Sequence, residues 1–240
     1  MERLPGENYI TARGSLTRDQ QMETLYSLAK FVETALLPLS LNINPADMKC
    51  NFFAQSWQRA MPVDSNMVDM SAISAECYTK FEYLSSGLPE RFLPAVAEGR
   101  AGLAALLDGS YPVVLTHGDL NETEILVNPR SGKITGVVDW ADSSIQPFGF
   151  ALYALENALG SMGPRGWEWF DNVEALRSAF WGAFQDQTGL SEPQRRLVEL
   201  AGKAGILIRY GMVYESGVPG MRRVRGSNEE DFRYLDALLL

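Results

Sequence analysis

The fold is decided by a stretch in the middle of the chain that reads Thr-His-Gly-Asp-Leu-Asn-Glu-Thr-Glu-Ile-Leu-Val, residues 116–127. This stretch ends in an apolar, β-branched run, and a second such run occupies residues 134–138. The residues between them, 128–133, are rich in turn formers. The pattern predicts a β-hairpin that pairs 125–127 with 134–138, preceded by a short strand at 113–115.

Two carboxylates bracket the predicted hairpin. Asp119 comes before its first strand, and Asp139 follows its second strand as part of the pair Asp139-Trp140. Because a hairpin folds the chain back on itself, both side chains can face one cleft. Phosphoryl transfer needs one carboxylate to accept the hydroxyl proton and another to hold Mg²⁺ against the phosphates. Asp119 and Asp139 are therefore candidate catalytic residues.

The remainder of the chain is predicted to be mostly helical. Apolar residues recur at steps of three and four, and Gly and Pro mark the breaks between segments. Helices are expected near residues 17–36, 50–60, 71–85, 89–107, 149–160, 173–187, 192–216 and 229–239. The fold class is therefore mainly α with a small β-hairpin.

The order of these motifs resembles the C-terminal lobe of the aminoglycoside phosphotransferases and choline kinases, which have a protein-kinase-like fold. The family carries a His-Gly-Asp loop with an Asn five residues after the Asp, then an Ile-Leu-Val strand, a hairpin and an Asp-Trp pair. The resemblance implies that Asp119 is the catalytic base, that Asp139 binds metal, and that His117 supports the loop by hydrogen bonding. We also expect ligand contacts from His117, Asn121 and Trp140, and from Trp167 and Trp169.

The sequence departs from the family pattern at two places near the loop. Glu124 stands where the family has its metal-binding Asn, and it adds a full negative charge beside Asp119 and Asp139. Glu124 joins these two as a candidate catalytic residue, and Asp139 with Glu124 would hold Mg²⁺ if metal binds. Residues 147–151 contain no acid, although the family usually has one there that braces the catalytic loop.

The resemblance also implies an N-terminal β lobe, for which no signal is found. No glycine-rich loop after a strand precedes Tyr111, and Lys30 and Lys49 lie in or beside helix signals. Residues 1–6 look like the hinge between the lobes of the family. We therefore expect a C-lobe without the N-terminal β lobe, with a hinge-like segment at 1–16 and a single domain at 17–240.

Three functions remain open at this point. The leading hypothesis is an ATP-independent small-molecule enzyme, a cyclase or isomerase of a secondary metabolite, with no cofactor and no metal expected. The first alternative is a phosphotransferase that uses Mg²⁺ and ATP and whose N-lobe is not in this chain. The second alternative is a non-catalytic pseudokinase that binds a ligand. In each case the expected partner is a small, largely apolar molecule.

Composition narrows the partners and the compartment. The net charge of −9 disfavours nucleic acid and anionic membrane surfaces as partners. The longest apolar runs are too short to span a bilayer, and two cysteines, Cys50 and Cys77, make no disulfide framework. We expect a soluble, cytoplasmic protein. The aromatic cluster at 167–170, with Trp181 and Phe184 beyond it, is interpreted as core or as the wall of a pocket.

Overall fold

The computed structural model describes residues 5–30, 52–61, 68–214, 222–224 and 229–240, and helices dominate this part of the chain. The helices are α1 (Tyr9–Ala12), α2 (Arg18–Lys30), α3 (Phe52–Gln58), α4 (Met70–Gly87), α5 (Leu93–Leu107), α6 (Tyr153–Ala158), α7 (Val173–Thr188), α8 (Glu192–Gly211) and α9 (Arg233–Leu239). The mainly helical fold class is confirmed. No helix within the described ranges is long and apolar enough to cross a membrane.

Short antiparallel strands interrupt the helices. They are β1 (Glu7–Asn8), β2 (Val113–Thr116), β3 (Ile125–Val127), β4 (Ile134–Val137), β5 (Ser144–Pro147), β6 (Gly160–Gly163), β7 (Gly166–Trp169), β8 (Met212–Tyr214) and β9 (Arg222–Val224). Their pairings are β1-β3-β4, β2-β5, β6-β7 and β8-β9. Among the described strands, the largest sheet therefore has three members.

The predicted hairpin is confirmed by the pairing of β3 with β4. Ile125 faces Val137 and Leu126 faces Gly136, and the register then shifts so that Val127 faces Ile134. The backbone N–H of Asn128 donates to the carbonyl of Lys133 at 2.8 Å and closes the turn. Alternate residues of β3 are buried, as expected for a strand with one face on the core.

The described part of segment 1–16 packs against this hairpin. Strand β1 adds to its edge, with Glu7 opposite Val127. Tyr9 is fully buried, and its hydroxyl donates to the carbonyl of Ala158 at 2.9 Å. Burial raises the pKa of this phenol well above its usual value. The N-terminal end is thus tied to the β3–β4 hairpin and to α6.

An aromatic cluster forms the part of the core between α3, α7 and the end of β5. The ring of Phe148 lies 5.2 Å from that of Trp57 and 5.8 Å from that of Phe184. The hydroxyl of Tyr111 donates to the carbonyl of Phe148 at 2.9 Å. Phe184 is buried and Trp181 packs partly buried against the core. The core interpretation therefore holds for these two residues of the predicted aromatic set.

Helix α8 lies directly against the turn that follows β5. A capping box between Ser191 and Gln194 starts the helix. At Gly205, an added Cβ would lie 2.1 Å from the carbonyl oxygen of Phe150. Only a residue without a Cβ permits this approach, so the contact between α8 and this turn is made backbone to backbone.

Two predicted helices were wrong in their extent. The helix predicted at 192–216 ends at Gly211, because Met212–Tyr214 pairs as a strand with Arg222–Val224. The helix predicted at 149–160 begins only at Tyr153, since the residues before it form turns. The basic run at 222–225 is thus a strand over its first three residues, and Arg225 lies outside the described residues.

Besides β1–β3 and β8–β9, two further strand pairs were not predicted. Strand β5 pairs with β2, and β6 pairs with β7 in a hairpin that contains Trp167 and Trp169.

Cys77 is a buried, free thiol, and burial raises its pKa to about 11. The predicted structure at 31–36 and 40–50, together with Lys49 and Cys50, lies outside the described residues.

We predict that Phe148→Ala lowers the free energy of unfolding by about 3–5 kcal/mol, because it leaves a cavity among stacked rings. Urea denaturation followed by circular dichroism measures the effect. The control is Tyr83→Ala, since Tyr83 is 50% exposed on α4, and we expect a change within about 0.5 kcal/mol. Equal losses from the two variants would contradict the assignment of Phe148 to the core.

Candidate active site

The loop after β2 turns sharply at Gly118. This residue has φ +83°, a left-handed conformation that glycine adopts without steric cost. An added Cβ would also lie 2.2 Å from the carbonyl oxygen of Asp142. The loop can therefore pass this close to the segment after β4 only with glycine at this position.

The imidazole of His117 joins the two halves of the site. The ring is fully buried, and its Nε2 lies 2.7 Å from the carbonyl oxygen of Val138. The backbone N–H of Asp119 donates to Nδ1 at 3.3 Å. An Nδ1 that accepts requires the proton on Nε2, so the neutral ring donates to Val138. The ring of Trp140 lies 4.8 Å away and covers it.

His117 therefore supports the loop, and both its nitrogen atoms are engaged within the protein. This is the structural role that the family resemblance implies. The accompanying prediction that His117 contacts a ligand stays a prediction. Trp140 is similarly engaged, because its Nε1–H donates to the carbonyl of Val137 at 3.1 Å.

The carboxylate of Asp119 is held by an arginine from the far end of the chain. Its Oδ1 accepts a hydrogen bond from Nη2 of Arg209, a residue in the last turn of α8. The side-chain amide of Asn121 contacts the same oxygen at 3.3 Å. Both contacts use Oδ1, so within the described ranges Oδ2 is left for a proton or a ligand. The Asp119 side chain is 44% exposed.

Glu124 and Asp139 lie at the open end of the β3–β4 hairpin. The backbone N–H of Val138 donates to the carbonyl of Glu124 at 3.0 Å, which places Asp139 next to this pair. Asp139 has φ +60°, the one positive φ of a non-glycine residue among the described residues. Such strained conformations are found disproportionately at functional sites. The side chain of Asp139 is exposed.

The donor chemistry at this end of the hairpin suits Mg²⁺. Magnesium is usually bound by one or two carboxylates, with phosphate oxygens and water completing its shell. Asp139 and Glu124 supply two carboxylates from neighbouring positions. One oxygen of Glu124 accepts a hydrogen bond from the hydroxyl of Thr123 at 2.6 Å. Within the described ranges, no group of three His, Cys, Asp or Glu residues could hold a metal unaided.

The predicted aromatic contacts lie on a hairpin separate from the loop. Trp167 and Trp169 sit on the β6–β7 hairpin with their rings 5.5 Å apart. Trp167 also packs on Tyr234, at 5.6 Å between ring centroids, and Trp169 is 37% exposed beneath Arg177. The structure does not bring these two residues together with Asp119. Their contact with a ligand stays a prediction.

Two cavities flank Arg209. One, of about 320 Å³, lies between α4, the β2–β5 pair and the end of α8, and is lined by Gly118 of the loop. The other, of about 430 Å³, is lined by Asn121, Tyr210 and Tyr234. Arg209 lines both, whereas Asp119, Glu124 and Asp139 line neither.

Two residues that line the second cavity bond each other: the hydroxyl of Tyr210 donates to Oδ1 of Asn157 at 2.8 Å.

Sequence reasoning missed two residues that hold the loop. Arg209 contacts the candidate base, and the hydroxyl of Tyr153 donates to the carbonyl of Gly118 at 3.2 Å. Tyr153 thus provides a brace for a loop that lacks the family's usual acid in residues 147–151. One signal was present for Arg209, namely a single charge directly after the apolar run 204–208.

Comparison with known proteins assigns the family. The family model of the phosphotransferase enzyme family, APH, matches residues 1–161 of the 240. This match includes the loop, the hairpin and Asp139. The chain belongs to the phosphotransferase enzyme family. No curated protein matches the sequence.

Solved structures of phosphotransferases show partial similarity. Macrolide 2′-phosphotransferase MphH from Brachybacterium faecium is 16% identical, with a TM-score of 0.48 over 87% of this chain and 61% of that chain. Aminoglycoside phosphotransferase APH(3″)-Id from Streptomyces rimosus is 13% identical, with a TM-score of 0.46 over 85% of this chain and 68% of that chain. The chain thus spans about 61% of the length of the macrolide phosphotransferase.

We predict that His117→Phe destabilises the protein, because it keeps an aromatic ring but leaves the Val138 carbonyl and the Asp119 N–H without their partner. A buried unsatisfied group costs about 1–3 kcal/mol, and chemical denaturation measures the loss. Tyr153→Phe is the comparison, since it removes one hydrogen bond from the same loop and should cost about 1 kcal/mol. A His117→Phe variant as stable as the wild type would show that the ring does not join the two segments.

Proposed function

We propose that this protein is a small-molecule phosphotransferase in which Asp119 accepts the proton of the attacking hydroxyl and Asp139, with Glu124, holds Mg²⁺. The observation that carries the proposal is the buried imidazole of His117. It bonds the backbone of Asp119 on one side and the residue before Asp139 on the other. One rigid ring therefore sets the relative position of the two segments that must act together.

Family membership favours phosphoryl transfer over the cyclase or isomerase that was the leading hypothesis. No contact in the described residues supports a cyclisation or isomerisation. The proposal assigns to this chain the catalytic loop and the metal-binding residues. The nucleotide, as Mg·ATP, would bring the phosphates, and Mg²⁺ would neutralise charge on them during transfer. The acceptor would be a small molecule with a hydroxyl group, as the names of the macrolide and aminoglycoside enzymes indicate for those proteins.

The contacts around Asp119 suit this residue to act as a general base. Oδ1 of Asp119 is fixed by Arg209, so the carboxylate is oriented, and Oδ2 is left to accept a proton. The N–H of Asp119 and the carbonyl of Gly118 are both bonded, to His117 and Tyr153. A base held in this way loses little freedom when the acceptor hydroxyl binds, which favours the reaction.

A non-catalytic binding protein is the second candidate. The ion pair between Arg209 and Asp119 favours it, because the guanidinium occupies one oxygen of the candidate base. Glu124 at the position of the family's Asn also increases the negative charge near the metal site. Under this interpretation a ligand binds, but no phosphate is transferred.

The proposal predicts distinct effects for the two aspartates. Asp119→Asn should lower the rate of ADP formation with an acceptor by about 10²–10⁴-fold, the usual contribution of a general base. It should leave Mn²⁺ binding intact. Asp139→Asn should weaken Mn²⁺ binding, measured by calorimetry with and without ATP, because it removes one carboxylate ligand.

The assay uses ATP and GTP with panels of aminoglycosides, macrolides and simpler alcohols. Asp186→Asn, a change at an exposed position of α7, is the matched control and should behave as the wild type. Ligand binding without phosphate transfer, unaffected by Asp119→Asn, would favour the binding protein instead. Unchanged Mn²⁺ affinity in Asp139→Asn would remove this residue from the metal site.

A further inference from the structure

The cavity of about 320 Å³ on the α4 side of Arg209 has a composition unlike the rest of this acidic chain. Its apolar wall includes Phe150 and Ile208, which can pack on carbon atoms of a ligand. Its polar groups converge from three separate elements: Lys80 from α4, Gln146 from β5 and Arg209 from α8. The volume is within the range of small-molecule sites.

Lys80 is a buried cation. Only 6% of the residue is exposed, although lysine is almost never fully buried unless it is paired. Its ion-pair partner in the described residues is Glu76, one turn earlier on α4, whose side chain is 50% exposed. The ammonium group has three N–H donors, and this single contact does not use them all. A further acceptor in the cavity would offset the cost of burying the charge.

Arg209 brings a second set of donors to the same space. Nη2 is engaged with Asp119, but Nε is buried and has no hydrogen-bond partner in the described structure. A buried donor without a partner costs about 1–3 kcal/mol. Nε is closed to a ligand oxygen as well as to water, but Nη1 is not among the buried atoms and has no partner among the described residues, so it can donate to a ligand oxygen in the cavity.

Gln146 supplies an unpaired amide atom. The residue is 8% exposed, and its Oε1 is buried with no hydrogen-bond partner among the described residues. Its Nε2 lies 3.3 Å from the hydroxyl of Ser144. If the amide is turned the other way, the same argument leaves the NH₂ group unpaired instead, so one polar atom is free in either orientation.

We propose that this cavity binds the anionic group, a carboxylate or phosphate, of a small organic molecule. Lys80 and Nη1 of Arg209 donate to its oxygen atoms, Gln146 adds a polar group to the wall, and the apolar wall covers its carbon chain. One acid, Asp142, also lines the cavity, and its side chain is exposed, so the buried part of the lining is cationic. This site does not depend on the phosphotransferase function, because Lys80 and Gln146 have no role in phosphoryl transfer and Arg209 only orients Asp119 there.

The site is linked to the candidate base. Arg209 contacts Asp119 and lines the cavity, so a bound anion and the Asp119 carboxylate share one guanidinium. We therefore expect the bound anion and the Asp119 carboxylate to compete for this guanidinium. Removal of the Asp119 charge should therefore strengthen anion binding, whereas removal of the Lys80 charge should weaken it.

The test is calorimetric titration of the full chain with 3-hydroxybutyrate, its neutral amide, glycerol 3-phosphate and inorganic phosphate. Concentrations extend to about 10 mM, because a millimolar Kd is the weakest that two charged contacts should give. We expect the organic anions to bind and the amide not to bind. The comparison of 3-hydroxybutyrate with glycerol 3-phosphate shows whether the site prefers a carboxylate or a phosphate.

Lys80→Met should weaken anion binding by about 10- to 100-fold, the range for one hydrogen bond to a charged group. Asp119→Asn should strengthen it. The matched control is Lys203→Met on α8, which removes the same charge from an exposed ion pair with Glu98 of α5 and should change nothing. Equal affinity for acid and amide, no binding of any probe, or equal effects of Lys80→Met and Lys203→Met would each overturn the proposal. The comparison of acid with amide uses the wild-type protein alone. It therefore tests the proposal even if the Lys80→Met variant folds poorly.

Discussion

The hydrogen bonds of the His117 ring are the constraint on which the candidate site depends. They join the loop after β2 to the end of β4, and these two segments otherwise belong to different sheets. Because the ring is fully buried, water does not compete for its partners. The position of Asp119 relative to Asp139 therefore depends on the hydrogen bonds and packing of a single imidazole.

A second constraint acts on Asp119 from the opposite side. Arg209 lies 90 residues further along the chain and reaches the carboxylate from α8. Tyr153 and Tyr210 lie below its guanidinium, with ring centroids 5.9 and 5.7 Å from the guanidinium carbon. The base is thus held between a neutral ring that bonds its backbone and a cation that bonds its side chain. Such an arrangement orients the carboxylate whether or not it transfers a proton.

The sequence predicted the elements whose signals are local. The loop at 116–124, the hairpin after it and most helices follow from turn formers, β-branched runs and apolar periodicity. Strand β5 was missed because its pairing with β2 joins residues 28 to 34 positions apart, and no local pattern marks it. Arg209 and Lys80 were missed for the same reason, since their significance depends on where α4 and α8 pack. The predicted contacts of Trp167 and Trp169 remain untested.

The close approach at Gly205 determines how the site can move. With its backbone against the carbonyl of Phe150, α8 has no side-chain layer there that could deform and let the helix slide. Arg209 is one turn further along the same helix. Any exchange of Arg209 between Asp119 and another anion is therefore a rotation of one side chain. Helix shifts take microseconds or longer, and such an exchange would need none.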